Sequence, residues 1–397
     1  MAPRRTRLLA TLAYYALFVG LGLTTGILGP TLPDLSRQTG SDLGSMGALF
    51  LLGSAGYTAG TVLGGRLFDR VRGHLLLGTA ELLAAASVGL FPAAHRLGFL
   101  LCLAFSRGMA EGVINAGGNT LLLWMHGEKA SPFVNGLHFC FGLGAFVSPL
   151  LVAKLVGVPG GFRFAYLGVA AFGVLAGMWI LFLPGSPDPP EHAPPPPGRG
   201  PVRRGAPYGA IALGALYLFA YVGGEISFGS WIYSYAMALG VVAPAAAAVL
   251  TSAFWLSFTV GRATSVPVAL RFAPRQVIPV ALAACLFLSA LLVGLPSSAG
   301  LLWAAAVGLG FCMAPLWPSG YTLAGQAVPM TAFASGLVLL GDSLGGMVLP
   351  SLTGKVMELA GSDHLSLSLP LLVFGTLLLC LFAFLGLRAA ARGRPGA

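Results

Sequence analysis

Apolar residues form long runs separated by short polar breaks, and this pattern fills the chain from Leu8 to Ala390. A helix that crosses a bilayer needs about 20 mainly apolar residues. The pattern predicts an all-α membrane protein with twelve spanning helices. The predicted helices are Leu8–Pro30, Leu43–Leu67, Leu75–Phe91, Leu97–Trp124, Phe133–Val156, Phe164–Leu183, Tyr208–Leu239, Ala243–Leu270, Val277–Leu295, Gly300–Ala324, Ala332–Met357 and Leu365–Ala389.

A proline-rich break, PGSPDPPEHAPPPPGRGPVRRG, divides the pattern in the middle. Its proline and glycine density prevents a helix and favours an extended tether. We therefore predict an N-terminal six-helix bundle (residues 1–184), a cytoplasmic linker (185–207) and a C-terminal six-helix bundle (208–397). GLHFCFGLGAFVSPLLVAKL from Gly136 recurs loosely as GLVLLGDSLGGMVLPSLTGKV from Gly336. The repeat indicates two pseudo-symmetric halves.

Composition supports a membrane location and charge supplies an orientation. Hydrophobic residues make up 56% of the chain and charged residues only 9%, against about 25% charged in soluble domains. The net charge of +10 is spread over short breaks instead of one face, so no nucleic acid partner is predicted. All the basic clusters fall on one side if both termini are cytoplasmic, as the positive-inside rule requires. The clusters are Arg4, Arg5 and Arg7; Arg66, Arg70 and Arg72; Arg203 and Arg204; Arg271 and Arg275; and Arg388, Arg392 and Arg394.

The fourth predicted helix carries polar residues at four-residue spacing, namely Arg107, Glu111, Asn115 and Asn119. This spacing places them on one face. Charges in a bilayer are costly, so they face the protein interior or a wet cavity. Glu111 is a candidate site for a coupling ion, with Arg107 tuning its affinity. The alternative is a fixed ion pair that only holds helices together.

Other predicted helices supply further candidates. In helix 7, Tyr217, Tyr221 and Glu225 share a face, and aromatic rings with a carboxylate suit a sugar, although aromatic residues also pack in helix bundles. Prolines in CMAPLWPSGYTLAGQ predict a kink in helix 10. Glu81 stands alone and ranks below the others. The ion-coupling candidates are Arg107, Glu111, Glu225 and Asp342; the substrate-binding candidates are Asn115, Asn119, Asn135, His138, Tyr217, Tyr221, Trp231, Trp317 and Tyr321.

The loop after the second predicted helix, GGRLFDRVRGH, matches the signature of the major facilitator superfamily at Gly65, Asp69 and Arg70. The resemblance implies a gate in which Asp69 caps the electropositive end of a helix. The matching segment of the second half offers Arg262 but no acid.

The chain also resembles one sugar-transporting branch of that superfamily, which includes fucose:proton symporters and sodium-dependent glucose transporter-like proteins. The segments that carry the resemblance are TLPDLSRQTGSDLGSMGALFLLGSAGY, INAGGNTLLLWMHGEKASPFVNGLHFCFGLGAFVSPLL and YVGGEISFGSWIYSYA. It implies ion-coupled sugar uptake. Relatives often have an aspartate where this chain has Asn115, so any coupling role there shifts to Glu111 or is lost. Helix 1 has no acid, and its polar candidates are Tyr14, Tyr15, Thr24 and Thr25.

The leading hypothesis is a secondary active transporter of a small solute, expected to be a sugar, coupled to protons or sodium by alternating access. An exporter of amphipathic drugs, lipids or metabolites is the alternative, and a non-transporting sensor is a third reading. The sequence shows neither a nucleophile paired with a base nor the spacing of metal ligands, so an enzyme is not predicted. We expect a multi-pass monomer in the plasma membrane, with a small-molecule substrate, a coupling ion and the lipid bilayer as partners, and with no cofactor or metal.

Overall fold

The protein is described by a computed structural model that covers residues 4–68, 70–187, 208–296, 298–328, 330 and 332–392. All regular secondary structure in these residues is helical, with 3-10 turns at Phe91–Ala93 and Gly127–Lys129. The longer helices are α1 (Arg4–Thr39), α2 (Gly47–Leu67), α3 (Gly73–Leu90), α4 (Leu97–His126), α5 (Ser131–Leu155), α6 (Gly161–Leu181), α7 (Tyr208–Leu239), α8 (Pro244–Arg271), α9 (Pro274–Gly294), α10 (Ala299–Met313), α11 (Leu316–Ala327) and α12 (Ala332–Arg392).

The described residues contain 12 segments that are long and apolar enough to cross a membrane, which confirms the predicted fold class. Helices α10 and α11 together form one segment, Ala299–Ala327. Helix α12 forms two, Ala334–Gly361 and Asp363–Arg392. Gly361 separates them because its backbone has φ of 56°, a conformation that glycine adopts without a steric penalty.

The helix boundaries differ from the predicted ones mainly in α1, which continues through Pro30 and Pro33 to Thr39. The prediction ended this helix at Pro30, and that boundary was wrong. Prolines are tolerated in membrane helices because neighbouring groups satisfy the freed backbone carbonyls. In α10 the predicted kink is confirmed, since the helix stops at Met313 and resumes at Leu316 beyond Pro315.

The helices group into two compact units. The first contains α1 to α6 and the segment Ala243–Trp255 at the start of α8. The second contains α7, the remainder of α8 from Leu256, and α9 to α12. Residues 188–207, which include most of the predicted linker, lie outside the described residues. The division at 185–207 stays a prediction.

Equivalent helix pairs pack closely within each unit, as the internal repeat predicts. In the first unit α1 packs against α5, and in the second α7 packs against the first part of α12. A Cβ atom on Gly144 would lie 2.1 Å from the carbonyl oxygen of Val19, and one on Gly341 would lie 1.9 Å from that of Ala215. Glycine therefore allows backbone-to-backbone contact in both pairs.

Large apolar side chains point outward, while several charged ones lie inside. Leu175, Val280 and Leu270 are 71%, 73% and 84% exposed. Glu81 and Glu111 are only 4% and 8% exposed. Large apolar side chains on the surface together with charged ones in the interior suit a lipid surround, in which polar groups are satisfied within the protein.

Candidate functional site

The first unit buries an ion pair on α4, where the four-residue spacing places Arg107 about one helical turn before Glu111 on the same face. Nε of Arg107 lies 3.6 Å from Oε1 of Glu111. Both residues are less than a tenth exposed. The predicted proximity of the two side chains is confirmed, and the cost of burying each charge is partly offset by the other.

Helix α1 contributes the other contacts of this ion pair through Thr24. Nη1 of Arg107 donates a hydrogen bond of 3.1 Å to the carbonyl oxygen of Thr24. The Thr24 hydroxyl lies 2.6 Å from Oε1 of Glu111 and 2.9 Å from the carbonyl oxygen of Leu21. A hydroxyl has one hydrogen, so it donates to one of the two acceptors at a time. Thr24 is thus the polar residue of α1 that contacts both charges.

A small cavity lies beside this ion pair. It has room for about one water molecule. Its lining residues come from α1, α3, α4 and α6 and are Gly20, Leu21, Thr24, Glu81, Ala84, Ala85, Val88, Glu111, Val169 and Gly173. The sequence ranked Glu81 low because it stands alone on α3. Its proximity to Glu111 depends on tertiary packing and carries no sequence signal of its own.

The remaining polar candidates of the first unit lie further along α4 and at the start of α5. Nδ2 of Asn119 donates to the carbonyl oxygen of Asn115 at 2.8 Å, and both residues are half-buried. Asn135 and His138 are exposed on α5. The His138 ring packs edge-on against Phe18 with centroids 6.0 Å apart.

The second unit has its own group of charged residues around Arg262 of α8, in which Glu225 is buried and Arg262 and Asp342 are half-buried. Glu225 and Tyr221 of α7 and Asp342 of α12 all lie within electrostatic range of this guanidinium. The guanidinium also lies over the Phe258 ring, 4.8 Å from its centroid. Within the described residues, Nε of Arg262 makes no hydrogen bond. The structure therefore places Arg262 with the candidate ion-coupling acids of this unit.

Two aromatic residues border the break between α10 and α11. The rings of Trp317 and Tyr321 stack with centroids 5.5 Å apart and planes 12° apart. Nε1 of Trp317 donates a 2.7 Å hydrogen bond to Oδ1 of Asp342. The Tyr321 hydroxyl lies 3.2 Å from Oγ of Ser335. Both side chains are half-buried, so part of each is exposed while its polar atom is hydrogen-bonded to the protein.

Two other aromatic candidates are held in packing contacts. Tyr217 is fully buried and donates its hydroxyl to the carbonyl oxygen of Leu316 at 3.0 Å. Trp231 is also fully buried, and its Nε1 donates to the carbonyl oxygen of Pro350 at 2.8 Å. In this structure each residue links α7 to another helix by a hydrogen bond, Tyr217 to α11 and Trp231 to α12. We therefore leave both out of the proposed binding surface.

The predicted gate at the end of α2 is only partly described. Gly65 is exposed, and a Cβ atom there would meet nothing within 4 Å. Arg70 is exposed as well, and Asp69 lies outside the described residues. The gate therefore stays a prediction.

Comparison with known proteins agrees with the twelve-helix architecture. The family profile of the Major Facilitator Superfamily matches residues 14–265, which is more than half of the chain. The chain belongs to this superfamily and is a multi-pass membrane protein.

Its similar relatives include mouse Sodium-dependent glucose transporter 1A, which is 29% identical over 86% of this chain and 88% of the relative. Human Sodium-dependent glucose transporter 1 is 30% identical over 85% of this chain and 72% of the relative.

Solved structures with the same fold include a D-xylose-proton symporter, with a TM-score of 0.74 at 14% identity over 95% of this chain and 97% of the other. The nucleoside transporter NupG has a TM-score of 0.74 at 16% identity over 96% of this chain and 99% of the other. At these identities the likeness establishes the fold.

Proposed function

We propose that this protein is a secondary active transporter that moves a sugar across the membrane by alternating access, coupled to protons or sodium. The observation that carries the proposal is a group of charged side chains in each helical unit, buried in the first unit and buried or half-buried in the second. A charged residue in a bilayer costs about 2.5 to 3.5 kcal/mol even on the lowest scales. A sensor or scaffold has little reason to retain such residues, whereas a carrier needs them to bind an ion.

Glu111 is the proposed ion-coupling acid. It is the acid whose buried partners, Arg107 and Thr24, come from two helices. Adding a cation to Glu111 weakens its attraction to Arg107, so ion binding changes the contact between α4 and α1. Glu225 and Asp342, which share Arg262, are the corresponding acids of the second unit.

Sugar contacts are proposed from two kinds of group. In the second unit the stacked rings of Trp317 and Tyr321 offer an aromatic face against which the CH groups of a sugar can pack. In the first unit the side-chain amides of Asn115 and Asn119 can both donate to and accept from sugar hydroxyls. The names of the relatives, Sodium-dependent glucose transporter 1 and 1A, support a hexose.

The orientation belongs to the same proposal. With both termini in the cytoplasm, the basic clusters fall on the inner side of the plasma membrane, as the positive-inside rule requires. The proposed gating residues are then Gly65, Asp69 and Arg70, together with Arg262 at the matching position of the second half. The transporter is proposed to act as a monomer with its substrate, its coupling ion and the lipid bilayer as partners.

Uptake by the purified full-length protein in liposomes tests this proposal. Radiolabelled hexoses and deoxyhexoses are supplied under an imposed proton gradient, an imposed sodium gradient or neither. We expect one gradient to drive accumulation of at least one sugar, while empty liposomes accumulate none. Absence of sugar uptake under every condition would refute sugar transport and would favour the export of amphipathic compounds, which the same vesicles can measure with fluorescent substrates.

A further inference from the structure

Glu81 of α3 is a deeply buried acid. Arg107 of α4 is already paired with Glu111, so it does not serve as the counter-charge of Glu81. Glu81 is 4% exposed. A Cβ atom on Gly20 of α1 would lie 2.8 Å from Oε1 of Glu81, and one on Gly173 of α6 would lie 3.0 Å from it. The carboxyl group is therefore enclosed between three helices, close to the glycine backbones of α1 and α6.

The charged group beside Glu81 is Glu111, a second acid that lines the same cavity. Within the described residues no hydrogen bond or ion pair to the Glu81 carboxyl is found. The neighbouring helices contribute Glu111 from α4, the hydroxyl of Thr24 from α1 and Gly173 from α6. Of these only Glu111 titrates, and it is already paired with the nearby cation, Arg107.

The charges of this group do not balance. Two carboxylates face one guanidinium, which leaves one negative charge uncompensated. An isolated carboxylate in a protein interior is so costly that it acquires a proton or a counter-ion. The cavity beside both acids has room for about one water molecule, which is also sufficient for one small monovalent cation.

We propose that Glu81 and Glu111 together bind one monovalent cation in this cavity, either a proton carried on the carboxyl groups or a sodium ion between them. The Thr24 hydroxyl lies at hydrogen-bonding distance from Glu111 and can supply a further oxygen ligand. Hard cations prefer such oxygen ligands. This inference rests on the proposed function and extends its coupling site from Glu111 of α4 to Glu81 of α3.

Cation binding to the full-length protein in lipid nanodiscs tests the inference without any sugar. One arm measures equilibrium binding of radioactive sodium. The other records the infrared carbonyl stretch of neutral carboxylic acid groups as pH is varied. The variants are Glu81→Gln and Glu111→Gln, and the control is Glu358→Gln, which removes an exposed acid paired with Lys355.

Loss of bound sodium in Glu81→Gln, but not in Glu358→Gln, supports a sodium site. A carboxylic acid band that titrates with pH and disappears in Glu81→Gln, without sodium binding, supports a proton site. The inference is overturned if wild type binds no sodium and the Glu81 band does not change with pH, or if Glu81→Gln behaves as wild type in both arms.

A second variant separates loss of the site from loss of the fold. Glu81→Asp keeps the charge but withdraws the carboxyl group by one methylene, so we expect cation binding that is weaker than in wild type but present. Size-exclusion chromatography confirms that each variant is folded. If Glu81→Asp and Glu81→Gln are both folded and bind the cation as wild type does, the inference fails. A failed sugar uptake assay leaves this binding assay intact, so the two proposals can fail separately.

Discussion

Two tryptophans with similar hydrogen-bonding roles occupy different surroundings. Trp317 is half-buried, stacks on Tyr321 and donates to Asp342. Trp231 is fully buried and donates to the carbonyl oxygen of Pro350. The helical pattern presented both as substrate-binding candidates. Burial separates them, because only a ring that reaches open space can contact a solute.

Replacing each tryptophan with phenylalanine tests that separation. In Trp317→Phe the Asp342 carboxylate loses its donor; a hydrogen bond to a charged group contributes about 1.5 to 3 kcal/mol. The exposed indole face that stacks on Tyr321 is lost as well, so we expect the KM for sugar uptake to rise roughly tenfold, and the lost hydrogen bond also lowers the Tm in detergent. In Trp231→Phe we expect a lower Tm with an unchanged KM. Equal effects of the two substitutions on KM would contradict the assignment.

At the scale of helices, close backbone contact makes particular glycines indispensable. Gly341 of α12 faces the backbone of α7, and its Cβ position would be 1.9 Å from the carbonyl oxygen of Ala215. Gly336 lies in the same helix with nothing within 4 Å of its Cβ position. The two positions have the same helical backbone and differ in what surrounds them.

Alanine at each position should therefore change stability in opposite directions. Gly341→Ala forces α7 and α12 apart, and overpacking of this kind costs about 1 to 3 kcal/mol. Gly336→Ala gains helix propensity of about 0.8 to 1.0 kcal/mol at most. Thermal unfolding in a fixed detergent should show a lower Tm for the first variant and an equal or higher one for the second. A Gly341→Ala variant as stable as wild type would argue against close α7–α12 packing.

Helix periodicity predicted some of the candidate site and could not predict the rest. Arg107 and Glu111 were placed together by spacing on one helix, and the break before Trp317 followed from prolines. The contacts of Thr24 and Glu81 join different helices, so no spacing within the sequence reports them. The helix that ends at Thr39 was predicted too short because proline signals a helix end in water but is accommodated in a bilayer.

At the scale of the whole molecule, many large apolar residues face outward, and each helical unit contains charged residues that are buried or half-buried. In the first unit Glu81, Glu111 and Arg107 carry one excess negative charge, and in the second Glu225, Asp342 and Arg262 do the same. A carrier that binds one cation in such a group neutralises it, whereas a purely structural ion pair has no need of the additional acid.

The central claim is that Glu111 couples the ion to the solute, and one comparison in liposomes tests it most directly. Wild type, Glu111→Gln and the control Glu358→Gln are assayed for gradient-driven sugar accumulation and for exchange of labelled against unlabelled sugar without a gradient. We predict that Glu111→Gln loses accumulation but keeps exchange, while Glu358→Gln keeps both. Accumulation by Glu111→Gln at the wild-type level would contradict the claim.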